Sequence, residues 1–317
     1  MTPATHKKYR AAVDEFNEWL TAIHEDTNNM EEFDQIVYEY IHYLHESGNS
    51  FDKAKCTVYG LRLYDPRLKT QLPLTMSAIR GWGKGRVSKP HPPLSWELAN
   101  AIAWQLARRP GHYRSGVGVL VAFDCLLRIG ELCNIRARDI GGEGDLNIGT
   151  EYKHMLIRIR KAKTGRNQDV IVLEPAVKQL LRDLKANTKP NDFIFPHSPN
   201  AFRNAFKRAA AELGLSPRYV PHSLRHGGAT RYRHIKEWSI ADVMSRGRWA
   251  ASKSAEHYIQ SGAVMLLAKG APTAVGLLGW RVMRFTAIYF EAAYAEFITP
   301  PARRRRCLTG GWDLHRS

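Results

Sequence analysis

Cysteine is scarce and poorly placed for chemistry. The 317 residues hold four, Cys56, Cys125, Cys133 and Cys307, with no CxxC pair among them. Such spacing offers neither a zinc site nor a disulfide framework, and it predicts buried thiols in a reducing, intracellular compartment. Long apolar runs are missing as well. Residues 1–10 are polar, the next segment is amphipathic, and the apolar stretch near the C-terminus is interrupted by Arg281, Arg284 and Glu291. Neither a signal peptide nor a membrane span is expected. Negative charge is short too: 30 Asp and Glu face 47 Lys and Arg. There is no carboxylate cluster of the kind a two-metal nuclease or a DDE-type transposase needs. The HxxxH pair His222 and His226 has no Glu between its members and has Arg225 as a neighbour, so a zinc site is not expected there.

The charge that is present has a pattern. Residues 1–50 carry a net −7, residues 51–90 a net +7, and beyond residue 90 there are 35 basic against 18 acidic residues, which leaves the whole chain at +17. An excess of that size suits a polyanion, because each Lys or Arg that neutralises a phosphate releases condensed counterions. A merely basic soluble protein would share the composition. The acidic start and basic remainder instead suggest one surface turned away from nucleic acid and one turned towards it.

Hydrophobic periodicity predicts a mostly α chain with a small β-sheet, an α+β class. Tyr9, Val13, Phe16, Trp19, Leu20 and Ile23 recur at helical spacing, as do Phe33, Ile36, Val37, Tyr40, Ile41 and Leu44. Further helices are predicted over about 51–64 and 77–82, after which Gly81, Gly83, Gly85, Pro90, Pro92 and Pro93 break the pattern in a basic linker. Ser95 is placed to cap a helix reaching Leu106, and Val117–Leu127 is apolar nearly all round, as in a buried helix. Between Tyr152 and Leu173 the period changes to two, which predicts a hairpin turning at Thr164-Gly165-Arg166-Asn167. Helices follow over about 175–186 and 200–213. One long amphipathic helix is predicted from about Thr273 to Ile298, carrying Val275, Leu278, Val282, Phe285 and Tyr289 on one stripe. Such a helix is expected to pack in cis; docking on a neighbouring protomer is the alternative implied by the family resemblance given below. Arg303–Arg306 form a basic run suited to phosphate contact, nuclear import or a solvated tail.

The chemistry-bearing residues are spread along the chain. Arg128 follows the buried helix directly, and an arginine there needs an acceptor, which Glu131 can supply as a salt-bridge partner. Lys161 and Lys163 lie at the hairpin. His222 and Arg225 form an HxxR pair that a helix places on one face, then come Trp249 and, nine residues on, Tyr258. Alone, HxxR is equally a surface pair. In order, Arg128, Lys163, His222, Arg225, Trp249 and Tyr258 resemble the tyrosine recombinases, the phage-integrase family that includes Cre and the recombinases of Crypton-type and DIRS-type eukaryotic elements. The resemblance spans roughly residues 5–262 and fills every catalytic position of the family pattern.

That resemblance implies a helical SAM-like core-binding domain over 1–85, a linker over 86–94, an integrase-type catalytic domain over 95–270, and a C-terminal helix and basic tail over 271–317. It implies a site-specific recombinase of a mobile element, working without cofactor or metal as a homo-tetramer on two double-stranded DNA sites. The two domains would close around duplex DNA, in the nucleus of a eukaryote or otherwise the cytoplasm. Tyr258 would be the nucleophile that forms a 3′-phosphotyrosyl bond, Arg128 and Arg225 would hold the non-bridging oxygens, and Lys163, chosen over Lys161, would be general acid. His222 would bind the phosphate or move the tyrosine proton. Trp249, where many members have a second His, would position, and Glu131 would align its neighbours. Lys84, Arg86 and Lys89 in the linker would meet backbone phosphates, as could Arg203 and Lys207. Two other readings share these residues: a type IB topoisomerase-like enzyme, and a domesticated DNA-binding protein that no longer cleaves.

Overall fold

The computed structural model describes Met1 and residues 3–23, 29–85, 91–142, 154–162, 165–259 and 269–298. Helices dominate, and one three-stranded antiparallel sheet accompanies them. The chain divides into two compact units, Met1–Lys89 and Pro90–Ser317. Among the described residues no helix is long and apolar enough to cross a membrane.

The first unit is a helical bundle of α1 (Pro3–Ile23), α2 (Met30–Glu46), α3 (Phe51–Tyr64) and α4 (Pro73–Gly85). The predicted stripes supply its core, with Phe16, Val37, Tyr40, Ile41, Leu44 and Val58 at 2% exposure or less. Start signals work as side-chain caps: Asn29 accepts from Glu31 N and Glu32 N at 3.0 and 2.9 Å, and Ser50 from Lys53 N at 3.2 Å. α4 is longer than its apolar pattern suggests, because its first turn is capped from another helix. The buried carboxylate of Asp34 accepts from Leu74 N at 2.8 Å and Thr75 N at 3.0 Å. Gly81, Gly83 and Gly85 therefore belong to a helix that the expected glycine break would have ended, and Trp82, 5.6 Å from the Phe51 ring, pins that end.

The second unit is built on α5 (Trp96–Ala107) and α6 (Tyr113–Asp124), both almost wholly buried. Ser95 caps α5 through Leu98 N at 3.2 Å. Leu94 is buried, and its N–H donates to Ser223 O at 3.1 Å, so the end of the expected linker lies in this unit. The sheet runs β1 (Ile140–Gly142), β2 (Met155–Ala162), β3 (Gly165–Val172) in spatial order, and Ile157 sits opposite both Ile140 and Val170. β1, three residues of Ile-Gly-Gly, carries no period and went unpredicted. The β2–β3 ladder continues to Ala162 opposite Gly165. Gly165, Arg166 and Asn167 are thus strand rather than turn, and the connection shrinks to Lys163 and Thr164, which lie outside the described residues.

The remaining helices are α7 (Ile129–Leu132), α8 (Pro175–Ala186), α9 (Pro199–Glu212), α10 (His222–His234), α11 (Ile240–Gly247), α12 (Ser252–Tyr258), α13 (Thr273–Arg284) and α14 (Thr286–Ile298). The single long C-terminal helix is in fact two, breaking at Phe285, where φ is −125°. They pack in cis. A Cβ on Gly279 would stand 2.0 Å from Glu97 O, Trp104 lies 5.0 Å from Tyr289, and Val282 and Phe290 are fully buried. The apolar richness of this segment is explained by that role, which is to cover α5 and α6.

A buried polar network joins the elements that meet at the site. Asp124, at the end of α6 and 0% exposed, accepts from Arg246 Nη2 of α11 at 3.0 Å, from Tyr232 Oη of α10, and from Leu173 N and Glu174 N after β3 at 2.9 and 3.3 Å. A carboxylate and a guanidinium removed from water are tolerable only when their donors and acceptors are matched like this.

Candidate active site

Three segments converge, and the sequence makes each do so for a local reason. After α6 the chain turns through Leu126 in the left-handed region, φ 49°, and delivers Arg128 as the residue capping α7. Glu131, buried in that helix, reaches back: its Oε2 accepts from Arg128 N at 2.9 Å and its Oε1 from Arg128 Nη1 at 2.7 Å.

α10 brings His222 and Arg225. The two glycines after His226 let it press on the segment before α5 and on α6, since a Cβ on Gly227 would meet Leu94 O at 2.0 Å and one on Gly228 would meet Phe123 O at 2.4 Å. Arg225 is 0% exposed. It donates through Nη1 to Leu126 O, the carbonyl of the strained residue, and through Nη2 to Gly247 O at 2.5 Å.

α11 ends at Gly247, and Arg248 adopts the left-handed conformation at φ 56°. Gly247 carries no side chain because the Trp249 ring fills that space; a Cβ would lie 1.8 Å from Cζ3 of the indole. The indole in turn stacks on the Arg225 guanidinium, 4.4 Å from its ring centre. α12 then presents Tyr258. Its ring lies 5.4 Å from the Arg225 guanidinium carbon, 4.8 Å from Trp249 and 4.4 Å from His226, and its hydroxyl is 3.0 Å from His222 Nε2.

The electrostatics are lopsided. Among the described residues Arg128, Arg225 and Arg248 gather around one carboxylate, Glu131, whose Oε2 also takes Arg248 Nη2 at 2.8 Å. Burial raises the Glu131 carboxyl, but Arg248 and then the backbone and guanidinium of Arg128 outweigh it and hold it below the usual carboxylate range. Burial, with the Arg128 and Arg248 charges, pulls Arg225 down from the ordinary arginine range. His222 is pushed down to about 4 by burial and then by Arg225, His91 and Arg128. His226 falls to about 3 through burial and the neighbouring histidines. At neutral pH the imidazole beside the phenol is therefore uncharged and can accept a hydrogen bond from it. Arg225 Nε, Arg248 Nε and Trp249 Nε1 are buried with no acceptor among the described residues. Such a cluster suits an oxyanion: it has surplus positive charge, unused N–H donors and a phenol in contact with a neutral base.

Of the expected residues, Arg128, Glu131, His222, Arg225, Trp249 and Tyr258 come together. Lys163, Arg86, Lys89 and Arg303–Arg306 lie outside the described residues. Lys84 is exposed at the end of α4, and Arg203 and Lys207 lie on the solvent face of α9, with Arg203 donating to Asn200 Oδ1 at 2.6 Å. No three His, Cys, Asp or Glu side chains among the described residues are arranged to hold a metal ion. Sequence reasoning missed Arg248, the stacking of His226 on Tyr258, and His91, whose ring is 5.9 Å from His222. Only the Gly-Arg-Trp string hinted at the first.

Residues 97–265, just over half of the chain, match the Phage integrase family. Over 131 residues the chain is 24% identical to the tyrosine recombinase XerA of Pyrococcus furiosus; the match covers 38% of this chain and 41% of that protein, so the chain spans about two-fifths of the length of that relative. Among solved structures, the lambda integrase dimer bound to a COC′ core site superposes with a TM-score of 0.58 at 15% identity, covering 83% of this chain and 73% of that one. The XerH site-specific recombinase bound to a palindromic difH substrate gives 0.56 at 16% identity, over 80% and 75%. The Tn1549 transposon integrase with circular-intermediate DNA gives 0.54 at 13%, over 80% and 98%. At these identities the likeness is one of fold.

Proposed function

The chain belongs to the Phage integrase family, and from that premise we propose that it is a site-specific DNA recombinase which cuts and rejoins strands through a 3′-phosphotyrosyl intermediate, needing neither metal nor ATP. The observation that carries this reading is the contact between Tyr258 Oη and the neutral imidazole of His222, beside a buried surplus of guanidinium.

A phenol with a free pKa of about 10 is a weak nucleophile at neutral pH. Here its proton passes to His222 Nε2 as Oη attacks phosphorus. The Oη–P bond forms, the P–O5′ bond breaks, and the energy of the ester is kept in the new one. Arg128 and Arg225 take the charge growing on the non-bridging oxygens, where one aimed donor is worth about 3 kcal/mol. Trp249 Nε1 adds a donor but cannot shuttle a proton. The departing O5′ takes its proton from Lys163, a role that rests on the family resemblance alone. Reversal on a second strand completes exchange, in a tetramer on two duplex sites. Lys84, Arg86, Lys89, Arg203 and Lys207 bind backbone phosphates.

The test is a duplex nicked next to the cleavage point, so that the leaving strand diffuses away. Wild-type protein forms a denaturant-resistant adduct with it, and Tyr258→Phe binds the same duplex but forms none. An adduct that survives Tyr258→Phe places the nucleophile elsewhere. Exchange that requires two sites separates recombination from relaxation by a monomer, and binding without any adduct marks a protein that only holds DNA.

A further inference from the structure

Arg248 has no part in the mechanism above, yet it is built in at a cost. Its side chain is 6% exposed, and its backbone occupies the left-handed region at φ 56°, which L side chains rarely adopt. Residues held this way persist where surrounding contacts over-determine them, commonly at functional sites. The contacts are specific. Arg248 Nη2 lies 2.8 Å from Glu131 Oε2 and 3.4 Å from Leu126 O, and Nη1 lies 3.3 Å from Arg246 O.

Glu131 therefore serves two cations. Oε1 takes Arg128 Nη1 at 2.7 Å, while Oε2 is divided between the backbone N–H of Arg128 at 2.9 Å and Arg248 at 2.8 Å. If Arg248 were lost, Arg128 would be the one charged group still hydrogen-bonded to the carboxylate among the described residues. A carboxylate and a guanidinium fit each other in a two-pronged pair, and an incoming phosphate would then compete with Glu131 for Arg128. With Arg248 present, one oxygen is committed elsewhere, so Arg128 keeps donors and net charge. Arg248 differs from Arg225, whose Nη atoms meet only backbone carbonyls: its charge is committed to the Glu131 carboxylate, and only its Nε is left without an acceptor.

We infer that Arg248 is a positioning residue, which holds Glu131 back from full pairing with Arg128 and so keeps Arg128 free for a phosphate oxygen. The phosphate in question is the DNA backbone of the preceding section, but the charge balance does not depend on that reading.

The experiment uses the full chain as wild type, Arg248→Gln, Arg248→Lys, Glu131→Gln and the Arg248→Gln/Glu131→Gln double variant. Two quantities are measured: the adduct rate at saturating nicked duplex, alongside duplex affinity, and the shift in melting temperature produced by inorganic phosphate, which needs no cleavage. Arg248→Gln lowers the saturated rate roughly 10- to 100-fold, less than the roughly 100- to 1,000-fold lost with an aimed donor itself because Arg248 acts through Glu131, with duplex affinity nearly unchanged, and weakens the phosphate effect. Arg248→Lys recovers most of both. The double variant returns to within about threefold of Glu131→Gln, because a neutral amide no longer claims Arg128. If the two losses instead multiply, or Arg248→Gln matches wild type in rate and phosphate response, the inference is overturned. If wild type forms no adduct while the phosphate series behaves as described, the strand-transfer reading fails and the role of Arg248 stands. Should Arg248→Gln not fold, Arg248→Met in the wild-type and Glu131→Gln backgrounds decides in the same way, multiplying losses again overturning it.

Discussion

Replacing Asp124 with asparagine changes one atom at 0% exposure and breaks a junction of four elements. Oδ1 of Asp124 takes the Tyr232 hydroxyl and Arg246 Nη2, the latter at 3.0 Å, while Oδ2 takes Leu173 N and Glu174 N at 2.9 and 3.3 Å. An asparagine has one oxygen. Whichever way its amide lies, the NH2 group faces two donors, and Arg246, with a side chain 5% exposed, is left without a buried countercharge. Removing one partner of a buried ion pair costs about 3–5 kcal/mol, out of the roughly 5–15 kcal/mol that hold a domain together. For a unit of this size each kcal/mol lowers Tm by about 2–4 °C, so the transition of the second unit falls by roughly 6–20 °C. Scanning calorimetry of the full chain reads that transition directly. Asp124→Leu combined with Arg246→Met recovers part of the loss, because no buried charge remains. A single variant that melts within about 2 °C of wild type would refute the claim that this pair is desolvated and matched.

His222 and His226 make stability depend on pH. Burial, then neighbouring charges, hold them to about 4 and about 3 in the fold, while an unfolded imidazole protonates near 6.5. Their contribution is complete above about pH 6.5 and is lost as pH falls towards 4, so denaturant midpoints decline across that window, less so in His226→Gln. In the same range the adduct rate shows no limb near 6.5 from His222; a limb there that disappears in His222→Asn contradicts the assignment. Gly247→Ala drives a Cβ to within 1.8 Å of the Trp249 indole. It should cost about 1–3 kcal/mol in stability and, by shifting the ring that stacks on Arg225, slow adduct formation by up to about 100-fold. An unaltered rate with lowered Tm would reduce Trp249 to packing.

Much of this site could be read from the residues in order. HxxR survives translation into structure because α10 is helical from His222 onward, so a spacing of three means a shared face. Trp249 and Tyr258 lie in the same local segment, and short range is where pattern is reliable. Arg248 was invisible for the opposite reason. Its partner Glu131 is 117 positions away, and nothing in Gly-Arg-Trp tells a buried guanidinium from a solvated one. Asp124 likewise passed without notice inside the apolar run Val117–Leu127. The start of α4 was misplaced because its cap comes from Asp34, 40 residues earlier.

The order of residue types along the chain determined the class of fold and the helical faces, which depend on periodicity, and the pairing of His222 with Arg225 on one face, which depends on a spacing within one turn of helix. Tertiary structure alone decided which charges are shared, which glycines had to be bare, and that the C-terminal helices cover their own α5 and α6. Those outcomes depend on which distant segments exclude water together, and burial sets the strength of every charge and hydrogen bond within them.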